Sequence, residues 1–178
     1  DTERIPADIV MLGVGHSARD TYRMLYDRGV QMEGKSFAIG VRIEHEQDVI
    51  DISQYGVPPA DIGLGAAEYS LVYHDKEADR SCYSFCMCPG GQVVASASET
   101  GGVVTNGMSL YARDSGIANS ALVVTVGPQD FGTHPLAGVN FQRQWEERAF
   151  IVGGSNYHAP IQTVGHLYSV RPTAMNQV

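Results

Sequence analysis

The chain has 178 residues, of which 43% are apolar, enough for one sizeable core or one core with a small appendage. A formal net charge of −8 and a pI near 5.1 argue against nucleic acid and anionic membranes as partners, since both are usually bound by basic faces. Residues 1–6 carry no signal-peptide pattern, no apolar run reaches the roughly 18 residues of a membrane helix, and three clustered cysteines do not suit a secreted disulfide framework, so we expect a cytoplasmic protein.

The first predicted element is a βα unit in residues 1–34. Residues 8–12 (DIVML) are a short apolar run that ends at a glycine turn, as a buried strand does. Ser17 and Asp20 suit the N-cap and N3 positions of the following helix, and Gly29 suits its C′ position. The apolar positions of that helix recur at i, i+3 and i+4, at Tyr22, Leu25 and Tyr26. We therefore expect one strand and one helix in this unit.

The pattern changes to successive strands after residue 34. Residues 37–43 alternate as a strand, and a short helix is predicted over 47–54. Five further strands are predicted at 66–74, 81–88, 92–98, 103–105 and 119–127. Residues 136–148 form a second predicted helix, and the tail from Tyr157 has no clear pattern. This order predicts an α+β domain at 35–155, with a mixed or antiparallel sheet and few helices, between the βα unit and a return segment at 156–178.

A glycine turn connects the strand and helix of the βα unit. Residues 13–18 (GVGHSA) match G-x-G-x-x-[GA], and Glu33 lies where a ribose-binding acid would follow. The cofactor-binding candidates of this turn are Gly13, Gly15, His16 and Ser17. No second crossover helix follows Glu33, so a complete dinucleotide-binding half is missing. A phosphate site and a packing turn both remain open interpretations.

Seven short runs occur in an order that resembles one known family. They are residues 15–21 (GHSARDT), 37–45 (FAIGVRIEH), 54–56 (QYG), 64–69 (LGAAEY), 83–91 (YSFCMCPGG), 104–109 (VTNGMS) and 119–124 (NSALVV). Together they resemble the bacterial FAD-dependent dehydrogenases, uncharacterised NAD(P)/FAD-utilising oxidoreductases of the glutathione-reductase-like flavoprotein group. The resemblance extends from about residue 8 to about residue 168.

This resemblance implies flavin-mediated redox chemistry with FAD, with NAD(P)H as the candidate electron donor. In the family, G-x-G-x-x-G precedes the matched region and a Gly-Asp-Gly flavin motif follows it. The chain therefore resembles the middle, substrate-side part, whose partner is the FAD-binding domain in the remainder of the same polypeptide. On this reading the chain alone is not expected to hold FAD, and the turn at residues 13–16 is a secondary flavin contact.

The substrate-side candidates lie in two glycine-containing segments and at the start of the last predicted strand. They are Gly90, Gly91, Asn106, Gly107, Met108, Ser109 and Asn119. Asn106-Gly107 is also a common hairpin-turn signal, so a structural turn is an equal alternative there. The resemblance favours a loop that faces the substrate or the flavin.

Cys82, Cys86 and Cys88 are free to take several roles. On a regular strand all three would share one face, with Cys86 and Cys88 about 6.6–7 Å apart, too far for one zinc ion or a disulfide. Buried free thiols are therefore the first expectation. Contact with flavin or substrate and redox activity are the alternatives, although only the distant Arg80 is basic nearby. With Asn106, Cys86 and Cys88 are the catalytic candidates.

Three functions remain after other motifs are considered. The six histidines show no metal-ligand spacing, and Arg42 and Arg113 are expected to form surface ion pairs more readily than to bind a carboxylate substrate. The leading hypothesis is the substrate-side domain of an FAD-dependent oxidoreductase, inactive alone, acting on an unidentified small molecule. The others are a stand-alone interaction domain presenting the Asn106 loop, and a small nucleotide-binding domain using the turn at residues 13–18.

Overall fold

The computed structural model describes residues 3–169. Its strands are β1 (Phe37–Glu46), β2 (Val72–Asp75), β3 (Arg80–Cys88), β4 (Gly91–Ser96), β5 (Val104–Ser109) and β6 (Ile117–Val126). Its helices are α1 (Arg19–Asp27), α2 (Gln47–Tyr55), α3 (Pro59–Ile62), α4 (Pro128–Phe131), α5 (Ala137–Val152) and α6 (Val164–Ser169). None of these helices is long and apolar enough to cross a membrane.

Two antiparallel sheets organise the described part of the chain. Four strands form one sheet in the order β1-β6-β3-β2, and β4 and β5 form a separate hairpin. The hairpin packs against the four-stranded sheet, mainly against β6. The predicted α+β class, with an antiparallel sheet, few helices and a helix before the strands, is confirmed.

Helix α1 forms as predicted, but it begins later than expected. Ala18 is the N-cap and makes no side-chain capping bond. The predicted N-cap residue, Ser17, instead directs its hydroxyl to Ser98 Oγ at 3.3 Å. At the other end, Gly29 has a φ of +80° and follows the helix at C′, as predicted.

The predicted strand at residues 8–12 does not form. These residues have no strand partner, and the side chains of Ile9 and Met11 are 83% and 92% exposed. A strand is stable when a neighbouring strand satisfies its backbone groups. The nearest strand in the chain is β1, and it is paired with β6 alone.

The apolar core lies where α4 and α5 meet the ends of β1 and β6. Phe37 of β1 stacks on Phe131 with ring centroids 5.4 Å apart, and Phe141 packs within 5.9 Å of Phe131. Trp145 extends this aromatic row along α5. The opposite end of β6 is polar, and this difference positions the candidate site.

Candidate functional site

Strand β6 carries two buried polar residues near its start. Asn119 and Ser120 both have 0% exposure. Asn119 Oδ1 accepts a hydrogen bond from Arg42 Nη1 at 2.5 Å, but its Nδ2 group has no hydrogen-bond partner among the described residues. A buried amide with unpaired donors costs about 1–3 kcal/mol. A buried donor without a protein partner is expected to bind a ligand or an ordered water.

Arg42 is the centre of this polar end of the sheet. In the antiparallel register Arg42 lies opposite Ala121 and Glu44 opposite Asn119, so Arg42 and Asn119 are diagonal neighbours on one face. The Arg42 guanidinium also donates from Nη2 to the carbonyl of Cys86 at 2.9 Å. All these partners are neutral, so the expected surface ion pair is wrong for Arg42.

Arg113 behaves as the sequence predicts. Its guanidinium lies 2.9 Å from the Glu68 carboxylate, and both side chains are more than half exposed. Such a pair contributes little stability. It is therefore a useful control for Arg42.

A β-bulge near the end of β3 places the cysteines differently from the prediction. Phe85 lies opposite Ala121 and Cys88 opposite Asn119, so three steps along β3 match two steps along β6. Cys86 has a φ of +46°, in the left-handed region, at this irregularity. One extra residue transfers all later side chains to the other face of the sheet.

The bulge separates Cys82 from Cys88. Cys82 lies opposite Val124, on one face, and Cys88 lies opposite Asn119, on the other. The predicted single face for all three cysteines is therefore wrong. Burial is also wrong, because Cys86 is exposed and the other two are half-buried free thiols. Cys88 Sγ lies 4.0 Å from Arg42 Nη1.

The backbone of β5 at Gly107 packs directly on the side chains of Arg42 and Asn119. In β5 Gly107 lies opposite Val93, and a Cβ built at Gly107 would collide with Arg42 Nη1 and Asn119 Oδ1. Glycine allows this close approach of the strand while both side chains keep their positions. At Gly91 a Cβ would lie 3.0 Å from Cys88 Cβ, so this end of the hairpin packs against Cys88.

A buried hydrogen-bond network centred on Gln47 holds the turn between β3 and β4. Gly90 has a φ of +54°, and its N–H donates to Gln47 Oε1 at 2.9 Å. Gln47 Nε2 donates to Asp51 Oδ1 at 2.8 Å and to the carbonyl of Ala67 at 3.0 Å. Gln47 and Asp51 are buried, so both side chains are satisfied inside the protein. This network fixes the turn next to Cys88.

The structure brings most substrate-side candidates into one cluster. Gly107 and Asn119 lie against Arg42, and Gly91 lies against Cys88. Gly90 belongs to the turn that follows Cys88, and Ser109 Oγ donates to the carbonyl of Pro89 in the same turn at 2.9 Å. We call Arg42, Cys86, Cys88, Gly107 and Asn119 the Arg42 cluster.

Asn106 and Met108 lie elsewhere. They alternate with Gly107 along β5, so their side chains point to the opposite face of the hairpin, where both are exposed. Asn106 pairs with Val94 inside the strand, and the connection of the hairpin is at 97–103. The alternative that Asn106-Gly107 forms the hairpin turn is therefore wrong.

The predicted cofactor-binding turn lies at the other end of the hairpin. Gly13, Gly15, His16 and Ser17 are exposed, and Ser17 contacts Ser98 beyond the end of β4. A Cβ at Gly13 or Gly15 would meet no atom within 4 Å. The length of β4, five residue steps from Gly91 to Ser96, is about 17 Å. The structure therefore keeps this turn apart from the Arg42 cluster.

A second arginine cluster fastens the glycine turn to the rest of the protein. The Arg19 guanidinium is buried and lies 2.5 Å from Glu99 and 2.6 Å from Glu146. Arg143 pairs with the same Glu99 at 2.7 Å. The Arg143 hydrogen bond is the main reason that the pKa of Glu99 falls to about 2, and the hydrogen bond to Glu146 raises the Arg19 pKa. We call Arg19, Glu99, Arg143 and Glu146 the Arg19 cluster.

The opposite face of the sheet carries a histidine–tyrosine pair. His45 Nε2 lies 2.9 Å from the Tyr69 hydroxyl, and burial raises the pKa of Tyr69. His45 Nδ1 is buried without a hydrogen-bond partner. Across residues 3–169, no three His, Cys, Asp or Glu side chains group as metal ligands.

Comparison with known proteins identifies the family. Residues 36–178 match the family described as FAD-dependent protein, C-terminal domain-like, and the chain belongs to this family. An uncharacterised protein of Clostridium beijerinckii is 56% identical over 164 residues, which are 92% of this chain and 31% of that relative. The chain thus spans about a third of the length of this curated relative.

Proposed function

We propose that this chain is the substrate-side part of an FAD-dependent oxidoreductase of the dehydrogenase type. Membership of the FAD-dependent family supports an association with FAD. The Arg42 cluster is the observation that carries the substrate-side role. In it, the Arg42 guanidinium has only neutral partners, and the buried Asn119 amide has unpaired donors. Strand β5 packs directly on both side chains at Gly107.

The described residues suit a contributing contact with FAD better than a primary cradle. A dinucleotide fold places its glycine turn after a strand of a parallel sheet. Here every strand pair in residues 3–169 is antiparallel, and residues 8–12 form no strand. The turn at residues 13–17 is open and could touch a cofactor held mainly by another domain. FAD, when bound, supplies the two-electron redox chemistry.

Exposed apolar side chains support a partner domain in the remainder of the same polypeptide. Residues 9–12 are exposed, and α6 presents Leu167 and Tyr168 to solvent. Apolar patches of this kind usually pack against another protein surface.

The Arg42 cluster would bind and orient an electron-rich group of a small molecule. Arg42 and Asn119 Nδ2 are donors, and a substrate carbonyl or carboxylate is the group that they recognise best. Gly107 holds these donors in place by contact with backbone. We further propose NAD(P)H as the electron donor, a cytoplasmic location, and functional units at 1–34, 35–155 and 156–178.

The test begins with the purified full-length protein and its bound flavin. We expect visible flavin absorbance and about one FAD per chain. Arg42→Gln should shift that spectrum or weaken substrate binding about tenfold without releasing FAD, whereas the exposed control Arg113→Gln should change neither. A full-length protein without FAD would contradict the proposal. The proposal would also be contradicted if the 178-residue chain alone bound FAD as tightly as the full-length protein does. That result would favour the small nucleotide-binding domain.

A further inference from the structure

Residues 86–88 (CMC) hold two free thiols at the bulge of β3. On a regular strand their Cβ atoms would be about 6.6–7 Å apart, against about 3.5–4.5 Å in a disulfide. The bulge compresses three steps of β3, normally about 10 Å, to match two steps of β6, about 7 Å. The spacing of a regular strand therefore does not apply between Cys86 and Cys88.

Side-chain contacts bring the two cysteines into the same small space. The Cys88 thiol donates to the carbonyl of Cys86 at 3.4 Å, so its sulfur lies against the backbone of its neighbour. Arg42 donates to that same carbonyl and approaches Cys88 Sγ to 4.0 Å. Closing the sulfur–sulfur bond requires side-chain rotation at two residues that already contact Arg42, Cys86 through its carbonyl and Cys88 through its sulfur.

The environments of the two thiols differ in a way that suits an exchange reaction. Cys86 is exposed and can reach a partner molecule, whereas Cys88 is half-buried beside Arg42. The thiolate is the reactive form of cysteine, and a neighbouring guanidinium stabilises its charge. Arg42 forms no salt bridge within residues 3–169, so its charge is available to the sulfur.

We propose that Cys86 and Cys88 are a redox-active dithiol that reduces disulfides by thiol–disulfide exchange. The Cys86 thiolate attacks one sulfur of the substrate disulfide, a mixed disulfide forms, and one substrate thiolate leaves and takes up the proton lost by Cys86. The Cys88 thiolate then attacks Cys86 Sγ, the Cys86–Cys88 bond forms, and the second substrate thiolate leaves with the proton of Cys88. Two electrons pass to the substrate, and an external dithiol restores the pair.

This activity goes beyond the proposed flavin function, because it needs no flavin. Oxidised glutathione is the probe, and the full-length protein is alkylated and mapped by mass spectrometry after exposure to it. We expect one internal disulfide in the peptide that contains residues 86–88, reversed by dithiothreitol. Cys82→Ser should retain this bond, while Cys88→Ser should trap a mixed disulfide at Cys86.

Two variants keep the test independent of folding. Cys86→Gly suits the φ of +46° at this position, so it should remain folded by circular dichroism and lose the internal disulfide. Arg42→Gln should slow formation of the bond about tenfold, and Arg42→Lys should restore part of the rate by restoring the charge. A disulfide that includes Cys82, or separate glutathione adducts on both Cys86 and Cys88, would overturn the proposal. Each measurement is made with and without bound FAD, so its outcome is separable from that of the flavin proposal.

Discussion

Two arginines lie at opposite ends of the β4–β5 hairpin, and their surroundings differ in charge. Arg19 is buried with carboxylates on both sides, and Arg143 adds a second cation to the same group. Arg42 has an amide oxygen, a carbonyl oxygen and a thiol around it. The first cluster is neutralised within itself, whereas the second retains a positive charge.

This difference separates a structural role from a chemical one. The Arg19 cluster joins α1, the hairpin connection and α5 through paired charges, and removing Arg19 leaves Glu146 mostly buried without its partner. The Arg42 cluster forms bonds of modest strength to neutral groups, but its charge can act on a bound molecule or on Cys88. Variants of the two clusters should therefore affect different measurements.

Arg19→Ala is expected to give the largest loss of stability. The free energy of unfolding should fall by about 3 kcal/mol, because Glu146 would be left mostly buried beside Glu99. Denaturant unfolding followed by circular dichroism measures this change. The matched control Arg113→Ala removes an exposed pair and should cost about 0.5 kcal/mol. Equal losses in the two variants would show that burial of Arg19 does not matter.

Glu99→Gln should produce a smaller loss that depends on pH. The Glu99 pKa is about 2 in the folded protein, below its ordinary value of 4.5, mainly because of the hydrogen bond from Arg143. A lowered pKa stabilises the fold above about pH 4.5, and this contribution disappears as pH falls toward 2. Unfolding measured from pH 7 to pH 2 should therefore decline less steeply in the variant.

The control for this pH dependence is Asp61→Asn, which removes an exposed carboxylate outside the Arg19 cluster. Its decline should match that of the unchanged protein. Both variants should still lose some stability as pH falls, because the hydrogen bond from Arg80 lowers the pKa of Asp130. An unchanged pH profile in Glu99→Gln would remove Glu99 from the account of acid stability.

Local patterns were sufficient for much of the fold. The apolar spacing that predicts α1, the glycine that ends it and the apolar alternation that predicts β1 can each be read from a short run of consecutive residues. The missing strand at residues 8–12 has an apolar pattern as clear as that of β1. Whether such a run becomes a strand depends on a distant partner, which local sequence does not encode.

The candidate site also depends on contacts between residues that are far apart in the sequence. The family resemblance implies Gly90, Gly91, Gly107 and Asn119, but the sequence predicts surface pairing for the central Arg42. Arg42 occupies a polar position of the alternating strand, so nothing in the local sequence distinguishes it from a surface arginine. Its neighbours could not be found, because the bulge at Cys86 determines which side chains face Arg42.

Gly107→Ala should have the smallest effect on stability and sharpens the comparison most directly. The added methyl group would collide with the ends of two side chains, Arg42 and Asn119, which can move away at a cost of about 1 kcal/mol. Displacing the guanidinium from Cys88 should slow alkylation of that thiol by iodoacetamide. The control Gly65→Ala adds a methyl group where no atom lies within 4 Å, and both properties should remain unchanged. An unchanged alkylation rate in Gly107→Ala would show that Gly107 does not hold the positive charge beside the sulfur.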